Sequence, residues 1–542
     1  MKNHKLKLAT VFLLISATAV GCSSNTTSST EVKTVSEVEA AEITEEVEPE
    51  KELHPYDSIE VIDNKLNRYI AKETLGSEEA YALLTQEEFE QIEHLNSDIT
   101  SSIGIISAKD LEQIWRLTNL KTLHLYSIDV SEIIEAIQSL ENLESLSLMY
   151  AVGENSDINL IEVASSLPNL EYLNLQNNYI TTIPTSIGNL TKLHSLLLSY
   201  NPIEIIPDEI GNLTQLESLQ LSSTNIVDIP SVIGELTNLN ELLLYNTKVK
   251  ELPDELFTLT NLETLNVGMS SLTNVSEQIE QLVNLKSLTL SFNNIRTLPE
   301  EFYNLTNLEY LALSNNSISE ISPSIANLTN LHTLLLGLNN FSIVPEAVWG
   351  LESLNNLDIT GYSLDSINSE IFALNNLTTL SLGSMDITEI PLEILEATSL
   401  TNLEIVGAAI TELPAEIGNL TQLTHLTSYC TFLTTLPAEI GNLEQLVDLN
   451  LYYNNITELP EEFWDLNLTH LDLTRNKIAT IPSDIGNLTS LEVLNLQNNF
   501  ISSLPDEVDN LINLQEIYLK DNPIGNLPVG LYDLPNLDVI SK

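Results

Sequence analysis

Apolar residues recur at fixed intervals along most of the chain, and the stretch LEYLNLQNNYITTIPTSIGNLTK at residues 170–192 shows the interval most clearly. With Leu170 counted as position 0, Leu, Ile, Asn and Pro stand at positions 0, 3, 5, 8, 10, 13, 14, 17 and 20, and Leu193 begins the same spacing again. Alternating apolar and polar residues at positions 3–5 predict a short strand with Leu inward and the intervening residue outward. The chain is therefore built from a 23-residue repeat.

Regular repeats begin at 18 leucines, and a truncated repeat begins at Leu537. The 18 are Leu120, Leu143, Leu170, Leu193, Leu216, Leu239, Leu262, Leu285, Leu308, Leu331, Leu354, Leu377, Leu400, Leu423, Leu446, Leu468, Leu491 and Leu514. One repeat buries about seven or eight apolar side chains, worth roughly 2–3 kcal/mol each, against about 1.5 kcal/mol of conformational entropy per residue. Since one repeat cannot fold alone, stacking predicts an α/β solenoid. It has one curved parallel sheet on its concave face and short helices or 3-10 turns on its convex face.

The pattern L-x-x-L-x-L-x-x-N-x-I-x-x-I-P-x-x-I-x-x-L resembles the leucine-rich repeat family and spans roughly four fifths of the chain. The recurring IGNLT, as at residues 187–191, is similar to the ectodomains of plant receptor kinases. The segments LLTQEEFEQIEHLNSDIT and LEQIWRLTNL resemble the helical cap and first degenerate repeat of bacterial internalin-like proteins. The resemblance implies adhesion, host interaction or scaffolding of the cell envelope.

The repeats occupy residues 120–542 and are preceded by three segments of different character. Residues 56–119 are expected to form a helical N-terminal cap with a degenerate first repeat, and residues 22–55, rich in Ser, Thr and Glu, a disordered acidic tether. Residues 1–21 have Lys before a short apolar run, as in an export signal. Their end at Ala19-Val20-Gly21-Cys22 resembles the lipobox of bacterial lipoproteins, which implies lipidation of Cys22; an ordinary secretory signal is the alternative.

These features predict an exported, lipid-anchored protein of the bacterial cell envelope, on the outer membrane if the cell is Gram-negative. A net charge of -57 argues against binding nucleic acid, which needs clustered Lys and Arg, and is compatible with basic partners. Besides Cys22 the chain has only Cys430, so no disulfide framework is expected.

Position 8 carries Asn in half of the repeats, where a buried amide can bond the backbone of the turn. Ile128, Ala151, Tyr362, Met385 and Ala408 stand there instead in others. The repeats from Leu354 to Ala408 are therefore expected to bend or flex differently from their neighbours.

Positions 2, 4, 6 and 7 point outward from the strands, and we call the surface they form the sheet face. Its aromatic residues are Tyr126, Tyr150, Tyr172, Tyr200, Tyr245, Phe292, Tyr310, Tyr429, Tyr452 and Tyr453. Rigid aromatic rings among small polar residues are typical of a recognition surface. A simpler interpretation is that Tyr and Ser merely suit the surface of a strand.

Three successive repeats carry His425, Asp448 and His470 at position 2, with Glu404 and Asp472 nearby. Neighbouring strands would place the two imidazoles on either side of a carboxylate, which suggests a divalent metal site. Charge pairing across strands explains the same residues without a metal.

Motifs of enzymes are missing: HExxH, GxSxG and a glycine-rich phosphate loop with Lys do not occur. We therefore expect no enzyme and no cofactor; a hydrolase that uses the region around His425 is the alternative. The favoured hypothesis is binding of a protein ligand, or less readily a glycan, on the concave face. A self-associating structural component of the surface is the alternative.

Overall fold

The computed structural model describes residues 64–95, 107–153, 157–341, 344–361, 374–384, 386–390 and 397–542. All of them belong to one compact unit, Pro55–Lys542. The export signal at 1–21, Cys22, the tether at 22–55 and the start of the cap at 56–63 lie outside the described residues.

Within these described residues, twenty short strands form one parallel sheet in which each strand pairs with the next along the chain. They are β1 His94–Leu95, β2 Thr122–Tyr126, β3 Ser145–Met149, β4 Tyr172–Asn174, β5 Ser195–Leu197, β6 Ser218–Gln220, β7 Glu241–Leu243, β8 Thr264–Asn266, β9 Ser287–Thr289, β10 Tyr310–Ala312, β11 Thr333–Leu335, β12 Asn356–Asp358, β13 Thr379–Leu382, β14 Asn402–Val406, β15 His425–Tyr429, β16 Asp448–Asn450, β17 His470–Asp472, β18 Val493–Asn495, β19 Glu516–Tyr518 and β20 Val539–Ser541. Equivalent residues of successive repeats are paired, as in Leu311–Leu334–Leu357. The predicted α/β solenoid is confirmed.

The core is a continuous stack of the periodic apolar side chains. Leu196, Leu219 and Leu265 at position 3 are fully buried, and the other inward positions behave alike. Each repeat thus completes its core against its neighbours, as the energetic argument requires.

Return segments of most repeats contain a five-residue 3-10 turn rather than an α-helix. Their bounds are Thr185–Asn189, Asp208–Asn212, Ser231–Glu235, Asp254–Thr258, Glu277–Gln281, Glu300–Asn304, Pro323–Asn327, Glu346–Gly350, Ala415–Asn419, Ala438–Asn442, Glu461–Asp465, Ser483–Asn487 and Asp506–Asn510, with a shorter turn at Gly530–Asp533. Pro at position 14 precedes most of these turns, as Pro207 does with φ -75°. A proline fits there because its fixed φ suits the turn entry.

The described α-helices lie in the N-terminal part: Lys65–Leu75, Gln86–Glu90, Ile134–Gln138 and Leu160–Ala164. Shorter 3-10 turns, Glu78–Leu83, Ala108–Leu111 and Ile114–Arg116, accompany them. Leu66, Ile70 and Phe89 are fully buried, and their two helices pack against each other and against the turns Ala108–Leu111 and Ile114–Arg116. None of the helices in the described segments is long and apolar enough to span a bilayer.

Where position 8 is Asn, its buried amide bonds the backbone of the turn, as predicted, and it also links the repeat to the previous one. Asn316 Nδ2 donates to the carbonyls of Leu290 and Leu313, both at 2.9 Å, and its Oδ1 accepts from Ile295 N at 3.0 Å. Asn293 and Asn339 repeat the arrangement on either side. We call this row the asparagine ladder; it provides partners for buried backbone groups where the strands end.

A second row of asparagines, at position 22, was missed in the sequence. Asn238, Asn261 and Asn284 each donate their amide to a carbonyl of the preceding repeat, at 2.8–2.9 Å. The recurring Asn-Leu that opens most repeats was the signal for it.

Candidate binding surface

Position 7, directly after the strand, has a left-handed backbone in nearly every described repeat, and this conformation places several of the candidate rings. Tyr150, Tyr200, Phe292 and Tyr453 have φ between 54° and 60°. Bulky residues rarely adopt such values. The neighbouring repeats hold the turn in place and so present these side chains at the border of the sheet face.

The N-terminal repeats carry a cluster of exposed rings. Tyr126, Tyr150 and Tyr200 are 54%, 47% and 60% exposed. Tyr126 and Tyr150 meet edge to face with ring centroids 5.4 Å apart, and Tyr172 lies 6.0 Å from the ring of His124. We call the three exposed residues Tyr126, Tyr150 and Tyr200 the aromatic cluster. Such T-shaped pairs hold rings rigidly, which lowers the entropy lost on binding.

In the middle of the sheet face the rings are partly covered. Burial raises the pKa values of Tyr245 and Tyr310, and in each case a neighbour adds to the effect: Tyr200 for Tyr245, and the charge of Asp358 for Tyr310. Phe292 is also partly buried. These three side chains therefore expose less of their surface to a partner than Tyr126, Tyr150 and Tyr200 do.

Towards the C-terminal end, two adjacent tyrosines contact a guanidinium group. The rings of Tyr452 and Tyr453 lie 5.9 Å apart, and Arg475 Cζ lies 5.9 Å and 5.7 Å from their centroids. Distances below about 6 Å are typical of cation–π contacts. Arg475 was missed in the sequence, although it occupies position 7 one repeat after Tyr453. Tyr179, which lies in the N-terminal repeat beginning at Leu170 and is 53% exposed, was also missed in the sequence.

Tyr429 was predicted on the binding surface, and this is wrong. It is only 6% exposed, because β14 and β15 stay paired as far as Val406 and Tyr429. The longer pairing holds the ring within the covered end of the sheet.

His425, Asp448 and His470 are paired partners on adjacent strands, which is the register that the sequence predicted. Each imidazole nevertheless turns to its own strand: the Nδ1 atoms lie 2.9 Å from the hydroxyls of Thr424 and Thr469. Within the described segments, no group of three or more His, Cys, Asp or Glu side chains is arranged to hold a metal ion. The predicted register of the three residues is confirmed, but their side chains are not arranged as the ligands of a metal ion.

Carboxylates on the C-terminal part of the sheet face are half-buried. Burial raises the pKa values of Asp358, Glu404 and Asp472. The charge of Asp358 adds to the rise at Glu404, and that of Asp448 to the rise at Asp472. Charged carboxylates are therefore less well stabilised here than in water.

Comparison with known proteins assigns the family. A family model described as leucine-rich repeat region matches residues 151–278, 270–382 and 367–459, and a second, described as leucine rich repeat, matches 467–524. The chain belongs to the leucine-rich repeat family. No curated protein matches it in sequence.

Solved leucine-rich repeat structures resemble it over most of its length. A leucine-rich repeat protein of Leptospira interrogans is 30% identical, with 80% of this chain and 98% of that chain covered and a TM-score of 0.52. The ectodomain of the plant membrane receptor kinase GASSHO1/SCHENGEN3 from Arabidopsis thaliana, in complex with CASPARIAN STRIP INTEGRITY FACTOR 2, is 27% identical, covering 79% and 56%, with a TM-score of 0.50. An internalin of Listeria monocytogenes is 24% identical, covering 65% and 87%, with a TM-score of 0.41.

Proposed function

We propose that this leucine-rich repeat protein binds another protein through its sheet face. The observation that carries the proposal is the aromatic cluster, since Tyr126, Tyr150 and Tyr200 expose about half of their surface on one side of the sheet. Rings of this kind bury much area at small entropic loss when a partner covers them.

Two further observations support binding rather than catalysis. The plant receptor ectodomain that resembles this chain was solved in complex with CASPARIAN STRIP INTEGRITY FACTOR 2. The sequence also lacks the motifs of common hydrolases and nucleotide-binding enzymes. A fold alone does not assign a function, so the proposal depends on the side chains of the sheet face.

The test is site-specific photocrosslinking in cells. A photoreactive phenylalanine analogue replaces Tyr200 on the sheet face or, as control, Tyr532, which is 65% exposed in the turn Gly530–Asp533. A discrete protein adduct is expected from position 200 and none from position 532. Adducts from both positions, or from neither, would contradict binding through the sheet face.

We also propose that Cys22 carries a lipid that anchors the chain in the bacterial cell envelope. The support is the sequence around Ala19-Val20-Gly21-Cys22, which follows an apolar run. Two or more acyl chains are needed for stable anchoring. Metabolic labelling with an alkynyl fatty acid should tag the wild-type chain and not Cys22→Ser, and an equal signal from both would contradict the anchor.

A further inference from the structure

The strands from β10 to β17 lie in a part of the chain that contains no Lys or Arg. Residues 297–474 contain no Lys or Arg, although every repeat within them contains at least one Asp or Glu. In a solenoid each repeat touches only its neighbours. Asp358 and Glu404 therefore have no Lys or Arg in their own or adjacent repeats to pair with, whereas Asp472 shares its repeat with Arg475 and Lys477.

Three of these carboxylates share one row of the sheet face. The row runs through directly paired residues: Asp358–Ser381–Glu404 and then Glu404–Thr427–Asn450–Asp472. At about 4.8 Å per strand, the first interval is about 10 Å and the second about 14 Å. We call Asp358, Glu404 and Asp472 the acidic row.

Neutral donors fix the carboxylates in place without neutralising them. Thr360 donates to Asp358 through its backbone N–H at 2.9 Å and its hydroxyl at 2.8 Å. Ser381 Oγ donates to Glu404 at 2.9 Å, and Thr474 N to Asp472 at 2.8 Å. Among the described residues, the ion pairs use cations at positions 68, 72, 121 and 286, all outside this row.

A gap in the side chains of the sheet face makes room for Asp358. Gly337 lies beside it, two residues after the preceding strand β11, and a Cβ at Gly337 would collide with the Asp358 carboxylate and the Thr360 hydroxyl. The absence of a side chain at Gly337 thus makes room for the carboxylate, which is half-buried.

Aromatic rings stand at both ends of the acidic row. Tyr310 lies close enough to Asp358 for the carboxylate charge to act on its hydroxyl. At the other end, Tyr452 and Tyr453 already hold the guanidinium of Arg475. These rings therefore suit cationic side chains, and the row between them supplies the opposite charge.

We infer that the partner docks on this part of the sheet face through an extended segment rich in Lys or Arg, whose cationic side chains lie against Asp358, Glu404 and Asp472. An extended chain advances about 3.3 Å per residue. Intervals of about 10 Å and 14 Å therefore correspond to basic residues three and four positions apart. The inference rests on the proposed function, because it names the chemistry of the partner that the sheet face binds.

The test measures binding of a defined peptide to the full chain by fluorescence anisotropy. The probe is a fluorescein-labelled synthetic peptide with Lys at every third position and Ser between; its counterpart has Gln in place of Lys. The triple variant Asp358→Asn, Glu404→Gln, Asp472→Asn should weaken binding of the Lys peptide by about tenfold or more. The Gln peptide should bind neither protein.

A second triple variant separates docking from general attraction to an acidic protein. Glu346→Gln, Glu439→Gln and Glu461→Gln remove the same charge from exposed positions of the 3-10 turns. This control should retain wild-type affinity within about twofold. Equal weakening in both triples, or displacement of the peptide by 1 mM Ca²⁺, would overturn the inference.

Crosslinking from Tyr200 keeps this test distinct from the proposed function. If the adduct persists unchanged in the acidic-row triple, the protein binds a partner without a basic segment and only the inference fails. If no adduct forms from position 200 although the Lys peptide binds the wild type, the proposed function fails and the inference loses its basis. Circular dichroism of both triples should match the wild type, since each change preserves side-chain shape.

Discussion

Repeats beginning at Leu285, Leu308 and Leu331 and those beginning at Leu377 and Leu400 share the same leucine core but end their strands differently. The first group has Asn at position 8 and strands of three residues, as in β9 and β10. The second has Met385 or Ala408 there, and β13 and β14 lengthen to four and five residues. β2 and β3, with Ile128 and Ala151 at this position, are also five residues long.

The difference shows what the asparagine ladder does. The amide bonds the carbonyls at the strand end, so the chain turns away early; where an apolar residue replaces it, those backbone groups pair across strands instead. β12 keeps three residues although Tyr362 follows it, so position 8 does not set strand length alone. The longer strands also carry Glu404 and bury Tyr429, which connects this change in the scaffold to the binding surface.

The largest effect should come from removing an amide of the asparagine ladder. Asn316→Ala loses three hydrogen bonds and leaves backbone groups of two repeats buried without partners. We expect a loss of about 3 kcal/mol in the free energy of unfolding. Denaturant unfolding measures the change in the global free energy of unfolding, and hydrogen exchange at the Ile295 amide measures local opening of the turn.

Thr224→Ala is the matched control, because Thr224 makes one such bond, to Leu221 O at 2.8 Å. It should lose about 1 kcal/mol. Equal losses in the two variants would show that the ladder does not hold the turns, and the explanation of strand length would fall with it.

The sequence predicted the solenoid because its determinants are periodic: each Leu and Asn repeats its role, so one repeat describes the others. The sheet face is not periodic. Tyr429 and Tyr453 sit one repeat apart at positions 6 and 7, yet one is buried and the other 46% exposed. That outcome depends on how far two backbones stay paired, which position 8 of a neighbouring repeat influences. Arg475 escaped notice for a related reason, since its role depends on rings in the previous repeat.

A smaller effect is expected at position 7, where the two groups also differ. Gly407 has φ 63°, whereas the equivalent Asn315 and Leu338 are L-residues forced into the left-handed region. Since no atom lies within 4 Å of a Cβ at Gly407, Gly407→Ala adds backbone strain alone. We expect it to lower the free energy of unfolding by about 1 kcal/mol.

Gly350→Ala provides the comparison, because its Cβ would also meet open space but its φ is not positive. It should be neutral or slightly stabilising, since alanine restricts the unfolded chain. If both alanines destabilise equally by thermal denaturation, strain at position 7 is not the cause.

The smallest effect should come from the half-exposed carboxylates, because solvent screens their charge. Burial raises the pKa of Asp358 above its usual value of 3.8, so the folded state holds the proton more tightly than the unfolded state. Stability contributed by this group is therefore greatest below pH 3.8 and declines as the pH rises through the folded-state pKa. Asp358→Asn should match the wild type near pH 3.5 and have the higher thermal midpoint at pH 7.

Asp129→Asn should show the opposite sign, which also separates this effect from the repulsion of the net charge of -57. Hydrogen bonds from the side chain and backbone of Ser131 lower the pKa of Asp129, so its contribution is present above pH 3.8 and lost as the pH falls through the folded-state pKa. The variant should therefore melt below the wild type at pH 7. Both variants remove one negative charge, so general repulsion would shift both upward; opposite shifts can arise only from the local environments of the two carboxylates.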